Sequence, residues 1–268
     1  MFATRRALVD GRDFVGWHLR TQMHFDLDVT RSDVVRLLDE SFELVVCVTA
    51  APDGRHEPEV QQQHFTAVAR TLARVRTRHL VLVSSTDVYG AEDGLDESSP
   101  VGVGGVSEAG LVRAWFEQAV REYHPSTVVV RLPELIGPQL VQGLLVDLAL
   151  GECDRHRGLL DTFQFYDVSR LGADLQTSLD AGLLVANLVS EPVAVGDVLD
   201  VFGGGMPAAD VPLAGTPYPS VVHDVRTRHA GVFGSTGSYL TSRAEVIDSI
   251  TRWWDSLLAA SFAGGRAS

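Results

Sequence analysis

The sequence contains no lysine. All 22 basic residues of the 268-residue chain are arginine. This absence excludes every mechanism that needs a lysine amine, including a Schiff base, a Walker-type phosphate loop and lysine-assisted acid/base chemistry.

Cysteine is almost as scarce, with two residues in the chain. Cys47 lies in a short apolar run, where we expect it to be a core residue, and Cys153 lies in a polar stretch. The two form neither a disulfide framework nor a CxxC pair. The nine histidines show no HxxxH or HExxH spacing, and the sequence therefore predicts no metal site.

Long apolar runs and excess positive charge are also missing. No apolar stretch approaches the ~18 residues of a membrane-spanning helix, and the N-terminal residues lack the apolar core of a signal peptide. We therefore expect a cytoplasmic protein with no membrane partner. The formal charge of −13 at pH 7 would repel phosphate backbones, so we expect no nucleic-acid partner.

The first half of the sequence alternates between short apolar runs and helical patterns. Strand-like runs occupy residues 7–10, 27–29, 44–48, 79–84 and 127–131. Helical spacing occupies residues 14–23, 32–40, 59–76 and 107–122. Ser32 is the expected N-cap of the second of these helices. Such alternation, with strands that are apolar throughout, predicts an α/β fold with a doubly wound parallel (Rossmann-like) sheet.

The alternation becomes irregular after residue 138. Patterns typical of helices or strands occupy residues 140–150, 163–166, 171–181, 183–188 and 243–259, and a stretch rich in glycine and proline covers residues 203–220. We therefore divide the chain into three parts. These are a Rossmann-like core at residues 1–138, a small C-terminal substrate lobe with returning core elements at 139–262, and a tail at 263–268.

Four segments resemble motifs of one enzyme family, in the same order and with similar spacing. They are residues 83–90 (VSSTDVYG), 27–30 (LDVT), 49–51 (TAA) and 131–138 (RLPELIGP). They are similar to the SSxxVYG, gDitd, AA and RpxNVYGP segments of the extended short-chain dehydrogenase/reductases, the NAD-dependent epimerase/dehydratase group. Residues 165–168 (FYDV) resemble, more loosely, the vhVdDv stretch of that family's substrate lobe. The resemblance implies a Rossmann-like fold and a small polar substrate such as a nucleotide sugar.

The turn that would hold the cofactor departs from the family pattern. The family binds its dinucleotide on a GxxGxxG turn, where glycines let the backbone approach the pyrophosphate. In register, Asp10 and Asp13 take the first two glycine positions, and only Gly16 matches. The family's second strand is missing as well, which leaves Asp28 and Val29 to border a nucleotide if one binds. We therefore expect no cofactor, with NAD or NADP as the alternative.

The family's catalytic pair is also missing. Its YxxxK motif places a tyrosine acid/base and a lysine one turn apart on a helix, and the segment in register is residues 106–110 (VSEAG). Because the chain has no lysine, no neighbouring register restores the pair. Ser85 remains from the family's triad, and His64 stands where the family has an asparagine. By resemblance, the chain is identified as an atypical member of the group.

Seven side chains are candidates for the functional site. The catalytic candidates are Ser85, His64 and Glu134. The expected substrate contacts are Thr86, Tyr89, Tyr166 and Asp167. Structural roles remain open as alternatives: Ser85 as a turn cap, Tyr89 as a packed turn residue, and His64 as a helix surface residue.

Three functional hypotheses follow from these patterns. The first is an enzyme that uses acid/base elimination, isomerisation or cyclisation on a small polar substrate, without hydride transfer. The second is a non-catalytic pseudoenzyme that acts as a ligand sensor or partner subunit. The third is an NAD(P)-dependent nucleotide-sugar epimerase, dehydratase or reductase, which fold alone supports.

A homodimer is expected in each case. The helices at residues 59–76 and 107–122 carry more apolar residues than one sheet face was expected to bury. These residues are Phe65, Val68, Leu72, Trp115 and Phe116.

Overall fold

The computed structural model describes residues 4–30, 32–49, 58–151, 161–203 and 224–264. The strands in these residues are β1 (Arg6–Val9), β2 (Leu27–Val29), β3 (Ser41–Val48), β4 (Arg76–Ser85), β5 (Val128–Leu132), β6 (Glu134–Ile136), β7 (Thr162–Phe163), β8 (Phe165–Asp167), β9 (Val185–Asn187) and β10 (Val193–Ala194). The α-helices are α1 (Phe14–Gln22), α2 (Pro58–Leu72), α3 (Glu108–Tyr123), α4 (Leu144–Leu150), α5 (Leu171–Asp180), α6 (Val195–Val201) and α7 (Arg243–Gly264). Short 3-10 turns occupy Val34–Asp39, Thr86–Val88, Val168–Arg170 and Ala230–Phe233.

Six parallel strands form the central sheet, in the order β2–β1–β3–β4–β5–β9. The expected doubly wound, Rossmann-like α/β fold is thus confirmed. The chain starts at β1, adds β2 on one side, and then adds β3 on the other side, so the strand order reverses between β1 and β3. In sheets of this kind, ligands bind outside the carboxyl ends of the strands near such a reversal. The turns that follow β1, β3, β4 and β5 therefore define where a site is expected.

Hydrophobic layers cover both faces of this sheet. On one face, α2 and α3 contribute Phe65, Leu72 and Phe116 to the core. On the other face, α1 and α5 contribute Leu19 and Leu175. Because both faces are covered, consecutive strand residues are buried and mostly apolar, as in β5, where all five residues are buried and Arg131 is the one charged residue.

The second half of the chain forms its own hydrophobic cluster and also returns to the sheet. Helices α4, α6 and α7 enclose the small sheets β6–β8 and β7–β10, with Leu144, Phe165 and Ile250 buried between them. Strand β9 pairs with β5 and joins the central sheet. The domain boundaries drawn from the sequence stay a prediction.

The segment at residues 32–40 differs from its expected structure. It forms the 3-10 turn Val34–Asp39 and not an α-helix capped by Ser32. The Asp33 carboxylate accepts hydrogen bonds of 2.6 Å from both the amide and the hydroxyl of Thr30. This local bonding holds the backbone in a turn and competes with a regular helix.

Two further element boundaries also differ. The helix expected to reach Arg76 ends at Leu72, and Arg76 begins β4. The sequence pattern predicted neither strand β10 nor helix α6, which follow one another directly. Of the irregular stretch at 203–220, all but Gly203 lies outside the described residues.

Most of the apolar residues behind the homodimer prediction belong to the core. The buried ones are Phe65, Val68, Leu72 and Phe116. They are packed within the subunit, so the argument from surplus apolar surface is wrong for these four. On α3, Trp115 is 37% exposed and the neighbouring Leu111 is 44% exposed. A homodimer stays a prediction, and it now depends on that pair.

Candidate functional site

Ser85 is the last residue of β4, at the carboxyl edge of the sheet. It is half-buried, and its Oγ accepts a hydrogen bond of 3.2 Å from the Asp87 amide. Since the oxygen acts as the acceptor in that bond, the hydroxyl retains its proton to donate. Thr86 is half-buried beside it and opens the turn Thr86–Val88. The two hydroxyls predicted to contact a ligand are therefore adjacent, and Ser85 also caps the turn.

Helix α3 brings an arginine to the same turn. Ser107 caps the helix by accepting a hydrogen bond of 3.1 Å from the Gly110 amide. The helix lies so close to the turn that a Cβ on Gly110 would be 2.1 Å from the Asp87 carbonyl oxygen. Arg113, three residues further along, donates to the Asp87 carboxylate at 2.7 Å, with its side chain 12% exposed. A largely buried cation therefore lies beside the Ser85 turn.

Sequence reasoning missed Arg113. The YxxxK motif aligns with residues 106–110. Val106 precedes α3, however, and the backbone of Gly110 packs against the turn that contains Asp87. The available signal was the Ser107 cap, which fixes the start of the helix. A position three residues after Gly110 then lies on the same helix face.

Glu134 lies just beyond the end of the neighbouring strand β5. It begins β6, pairs with Phe165 of β8, and is half-buried. Its carboxylate faces the start of α4, because a Cβ on Gly143 would be 4.0 Å from Oε2. Ser85 pairs in register with Leu132, two residues before Glu134, so the two candidates share one edge of the sheet.

His64 is placed differently from these two residues. It lies on α2 and is exposed, whereas Phe65 and Val68 point into the core. The structure gives it the surface position that the sequence left open as an alternative. Its proposed part in catalysis stays a prediction.

Tyr89 is buried in a network of polar side chains. It is 3% exposed, its hydroxyl donates to the Asp96 carbonyl at 2.9 Å, and it accepts from Arg131 at 2.6 Å and from Asn187 at 3.0 Å. Burial raises the pKa of this hydroxyl. Arg131 in turn donates to both carboxylate oxygens of Glu117, at 3.2 and 2.6 Å. These bonds give Tyr89 a structural role that joins α3, β5 and β9, and a substrate contact for it stays a prediction.

Tyr166 is likewise a structural residue. It is 4% exposed and donates to the Asp174 carboxylate at 2.7 Å, and burial raises its pKa well above the ordinary value. Asp167 is half-buried and accepts hydrogen bonds from the amide and hydroxyl of Ser169, at 3.0 and 2.6 Å. Asp167 thus caps the turn Val168–Arg170, and a substrate contact for it stays a prediction.

The turn after β1 has the backbone of a glycine turn but carries carboxylates. Asp10 adopts a φ of 63°, in the left-handed region that favours glycine. Gly16 lies against Gly11, since a Cβ on Gly16 would be 2.2 Å from the Gly11 Cα. Asp13 is the N-cap of α1 and accepts a hydrogen bond of 2.7 Å from the Gly16 amide. Desolvation raises the pKa of Asp13 from 3.8 to about 6.

Arg20 joins this turn to β2. Arg20 of α1 donates to the Gly11 carbonyl and, at 2.8 Å, to the Asp28 carboxylate. Asp28 is therefore paired within the protein, and β2 lies directly beside β1. Val29 is 1% exposed and belongs to the core, and its contact with a nucleotide stays a prediction.

The dinucleotide that this fold implies does not fit these residues. The amide end of α1, where a pyrophosphate would be held, is already occupied by the Asp13 carboxylate. Two like charges about 4 Å apart repel by roughly 1 kcal/mol in water and roughly 4 kcal/mol near a protein surface. Asp28, which would face the adenosine, is bound by Arg20.

The described residues contain neither a candidate metal site nor a candidate membrane-spanning helix. Across residues 4–30, 32–49, 58–151, 161–203 and 224–264, no group of three or more His, Cys, Asp or Glu side chains is arranged to hold a metal ion. Within the same part of the chain, the helices are too short or too polar to span a bilayer.

Comparison with solved structures identifies the fold of the chain. The sequence matches no protein-family model, and a search of curated proteins gave no match. Structural comparison does find similar folds, and these belong to proteins described as epimerases and a reductase. The chain thus shares the Rossmann-like α/β fold of these structures.

Three of these structures illustrate the similarity. MoeE5 in complex with UDP-glucuronic acid and NAD superposes with a TM-score of 0.72 and 18% identity, over 96% of this chain and 99% of that chain. A UDP-N-acetylglucosamine 4-epimerase from Methanobrevibacter ruminantium M1 gives a TM-score of 0.70 and 13% identity, over 97% of this chain and 100% of that chain. The Bordetella bronchiseptica enzyme WbmG in complex with NAD gives 0.69 and 18%, over 94% of each chain. At these identities the comparison establishes the fold only.

Proposed function

We propose that this protein is an enzyme on the epimerase/dehydratase scaffold that converts a small polar, nucleotide-sugar-like substrate by acid/base chemistry without hydride transfer. The observation that supports this most directly is the junction of α3 with the end of β4. There Arg113 pairs with Asp87 beside the Ser85 hydroxyl, and the first two turns of α3, residues 108–115, contain no tyrosine.

The three side chains at the sheet edge have complementary chemistry. Ser85 donates a hydrogen bond to a substrate oxygen, and Arg113 stabilises negative charge that develops there. Glu134, at the end of the next strand, transfers the proton. A positioned general acid or base accelerates a reaction by roughly 10²- to 10⁴-fold, which suffices for elimination or isomerisation of an activated substrate.

The tyrosines of the described residues support the same assignment. Tyr89 and Tyr166 are buried and bonded to protein groups. Tyr239 donates to Asp224, and Tyr123 lies exposed at the far end of α3. Within this part of the chain, three of the four tyrosines are thus bonded to protein groups, and the fourth is exposed at the far end of α3. Because the chain contains no lysine, a tyrosine–lysine mechanism has no support.

A second candidate function is an NAD(P)-dependent nucleotide-sugar epimerase, dehydratase or reductase. It is favoured by the fold, since two of the similar structures contain NAD and one of these also contains a nucleotide sugar. The turn after β1 argues against it.

Turnover of UDP-sugars separates the candidates. The protein is incubated in D₂O with UDP-glucose, UDP-N-acetylglucosamine or UDP-glucuronic acid, with and without NAD⁺, and products are followed by NMR and mass spectrometry. We expect conversion or deuterium uptake without NAD⁺, and a loss of about 10²-fold in Ser85→Ala and in Glu134→Gln at unchanged melting temperature. The exposed Glu122→Gln on α3 is the matched control. Turnover only with NAD⁺ favours the second candidate, and binding without turnover favours a pseudoenzyme.

A further inference from the structure

The turn after β1 retains the backbone of an anion-binding turn. Within the described residues, Asp10 and Gln139 are the two non-glycine residues with positive φ, and Asp10 adopts its φ of 63° directly after β1. The close approach of α1 to the turn is kept as well, because Gly16 lies where any Cβ would collide with Gly11. The turn thus follows a path that suits glycine, while Asp10 and Asp13 place carboxylates on it.

The anion at the start of α1 comes from the protein itself. Asp13 directs its carboxylate at the first amides of the helix and is bound by the Gly16 amide at 2.7 Å. A helix N-terminus favours negative charge because its amides have no partners within the helix. Asp13 is half-buried at this position, and desolvation raises the pKa of its carboxyl.

Positive charge is present beside the turn but is already paired. Arg20 bridges the Gly11 carbonyl and the Asp28 carboxylate. In a turn that held a ligand phosphate, this guanidinium would be a ready partner for it. Asp10 adds a second negative charge to the same turn.

We infer that the turn after β1 is a latent diphosphate site that Asp13 and Asp10 keep closed. With glycine at both positions, the amides of α1 and the Arg20 guanidinium become available to the diphosphate of an ADP-containing ligand. The inference goes beyond the proposed function, which requires only that turnover proceed without a dinucleotide.

Isothermal titration calorimetry with ADP and with NAD⁺ tests the inference. We expect wild-type protein to show no binding up to about 1 mM, and Asp10→Gly/Asp13→Gly to bind ADP at least tenfold more tightly, with affinity falling as salt rises. Asp13→Asn is the matched control, because an amide still fills the space and caps the helix. It should gain less than the glycine variant.

The variants are expected to fold, since glycine is tolerated as an N-cap and suits the positive φ at residue 10. Circular dichroism and melting temperature verify this, and the single variants Asp10→Gly and Asp13→Gly provide the same readout if the double variant is unstable. Tight NAD⁺ binding by wild-type protein overturns the inference. So does a folded glycine variant that gains less than threefold, and in that case turnover without NAD⁺ would leave the proposed function standing.

Discussion

Among individual residues, burial distinguishes the polar side chains that support the fold from those that we propose act on a ligand. Tyr89 and Tyr166 resemble family site residues in sequence, but their hydroxyls are bonded inside the protein. Ser85 and Glu134 are only half-buried at the carboxyl edge of the sheet. A buried hydroxyl with satisfied bonds stabilises the interior, whereas a half-buried one can exchange a protein partner for a ligand.

Asp13 should make stability depend on pH in mildly acidic solution. Its folded pKa is raised from 3.8 to about 6 by desolvation, so the native state binds the proton more tightly than the unfolded chain. The contribution of Asp13 to the free energy of unfolding should be largest below about pH 4 and should be lost as pH rises through about 6. The full shift corresponds to at most about 3 kcal/mol, and the half-buried position of Asp13 reduces it.

Urea unfolding between about pH 4 and pH 7 measures this dependence. Asp13→Asn should flatten the curve, because asparagine keeps the cap and removes the charge. Asp39→Asn, at an exposed position, should keep the wild-type slope. Parallel curves for wild type and Asp13→Asn would contradict the assignment.

At the scale of elements, one buried ion pair ties α3 to β5. Glu117 and Arg131 are 3% and 4% exposed and form a two-bond pair. Glu117→Gln should lower the free energy of unfolding by about 3 kcal/mol, because Arg131 would be left buried with its charge uncompensated. Thermal unfolding followed by circular dichroism measures the loss. Glu122→Gln, exposed on the same helix, should change stability by less than about 0.5 kcal/mol.

The contact between α3 and the Ser85 turn depends on a glycine. In Gly110→Ala, the new Cβ would lie 2.1 Å from the Asp87 carbonyl oxygen, so the helix or the turn must move. We expect a loss of about 1–3 kcal/mol in stability. A displaced Arg113 should also lower turnover. Gly231→Ala, with no heavy atom within 4 Å of the new Cβ, should be nearly neutral in both assays. Equal behaviour of the two variants would refute the close packing.

At the scale of the whole molecule, the prediction to measure is self-association. Leu111 and Trp115 lie one turn apart on α3 with 44% and 37% exposure, and we expect this pair to contact a second copy. We expect light scattering to report a dimer at micromolar concentration. A Leu111→Glu/Trp115→Glu double variant should be monomeric, since a charge at a buried contact is costly. A wild-type monomer would refute the dimer prediction.

The sequence by itself determined the class of fold and one chemical limit. Apolar runs and helical spacing are local properties, and they predicted the sheet because each strand and helix carries its own burial pattern. The ends of β2, and to within one residue those of α3, agreed with the structure for the same reason. The absence of lysine is a property of composition, and composition alone therefore excludes a tyrosine–lysine pair.

Only the tertiary structure decided which side chains meet. Arg113 and Asp87 are 26 residues apart, and their contact depends on how closely α3 packs against the end of β4. The burial of Tyr89 depends on Arg131 and Asn187, which come from two other strands. Periodicity specifies which face of an element is buried but carries no information on its neighbours there. The candidate site therefore depends on packing between elements that are distant in sequence, and the local sequence pattern does not specify such contacts.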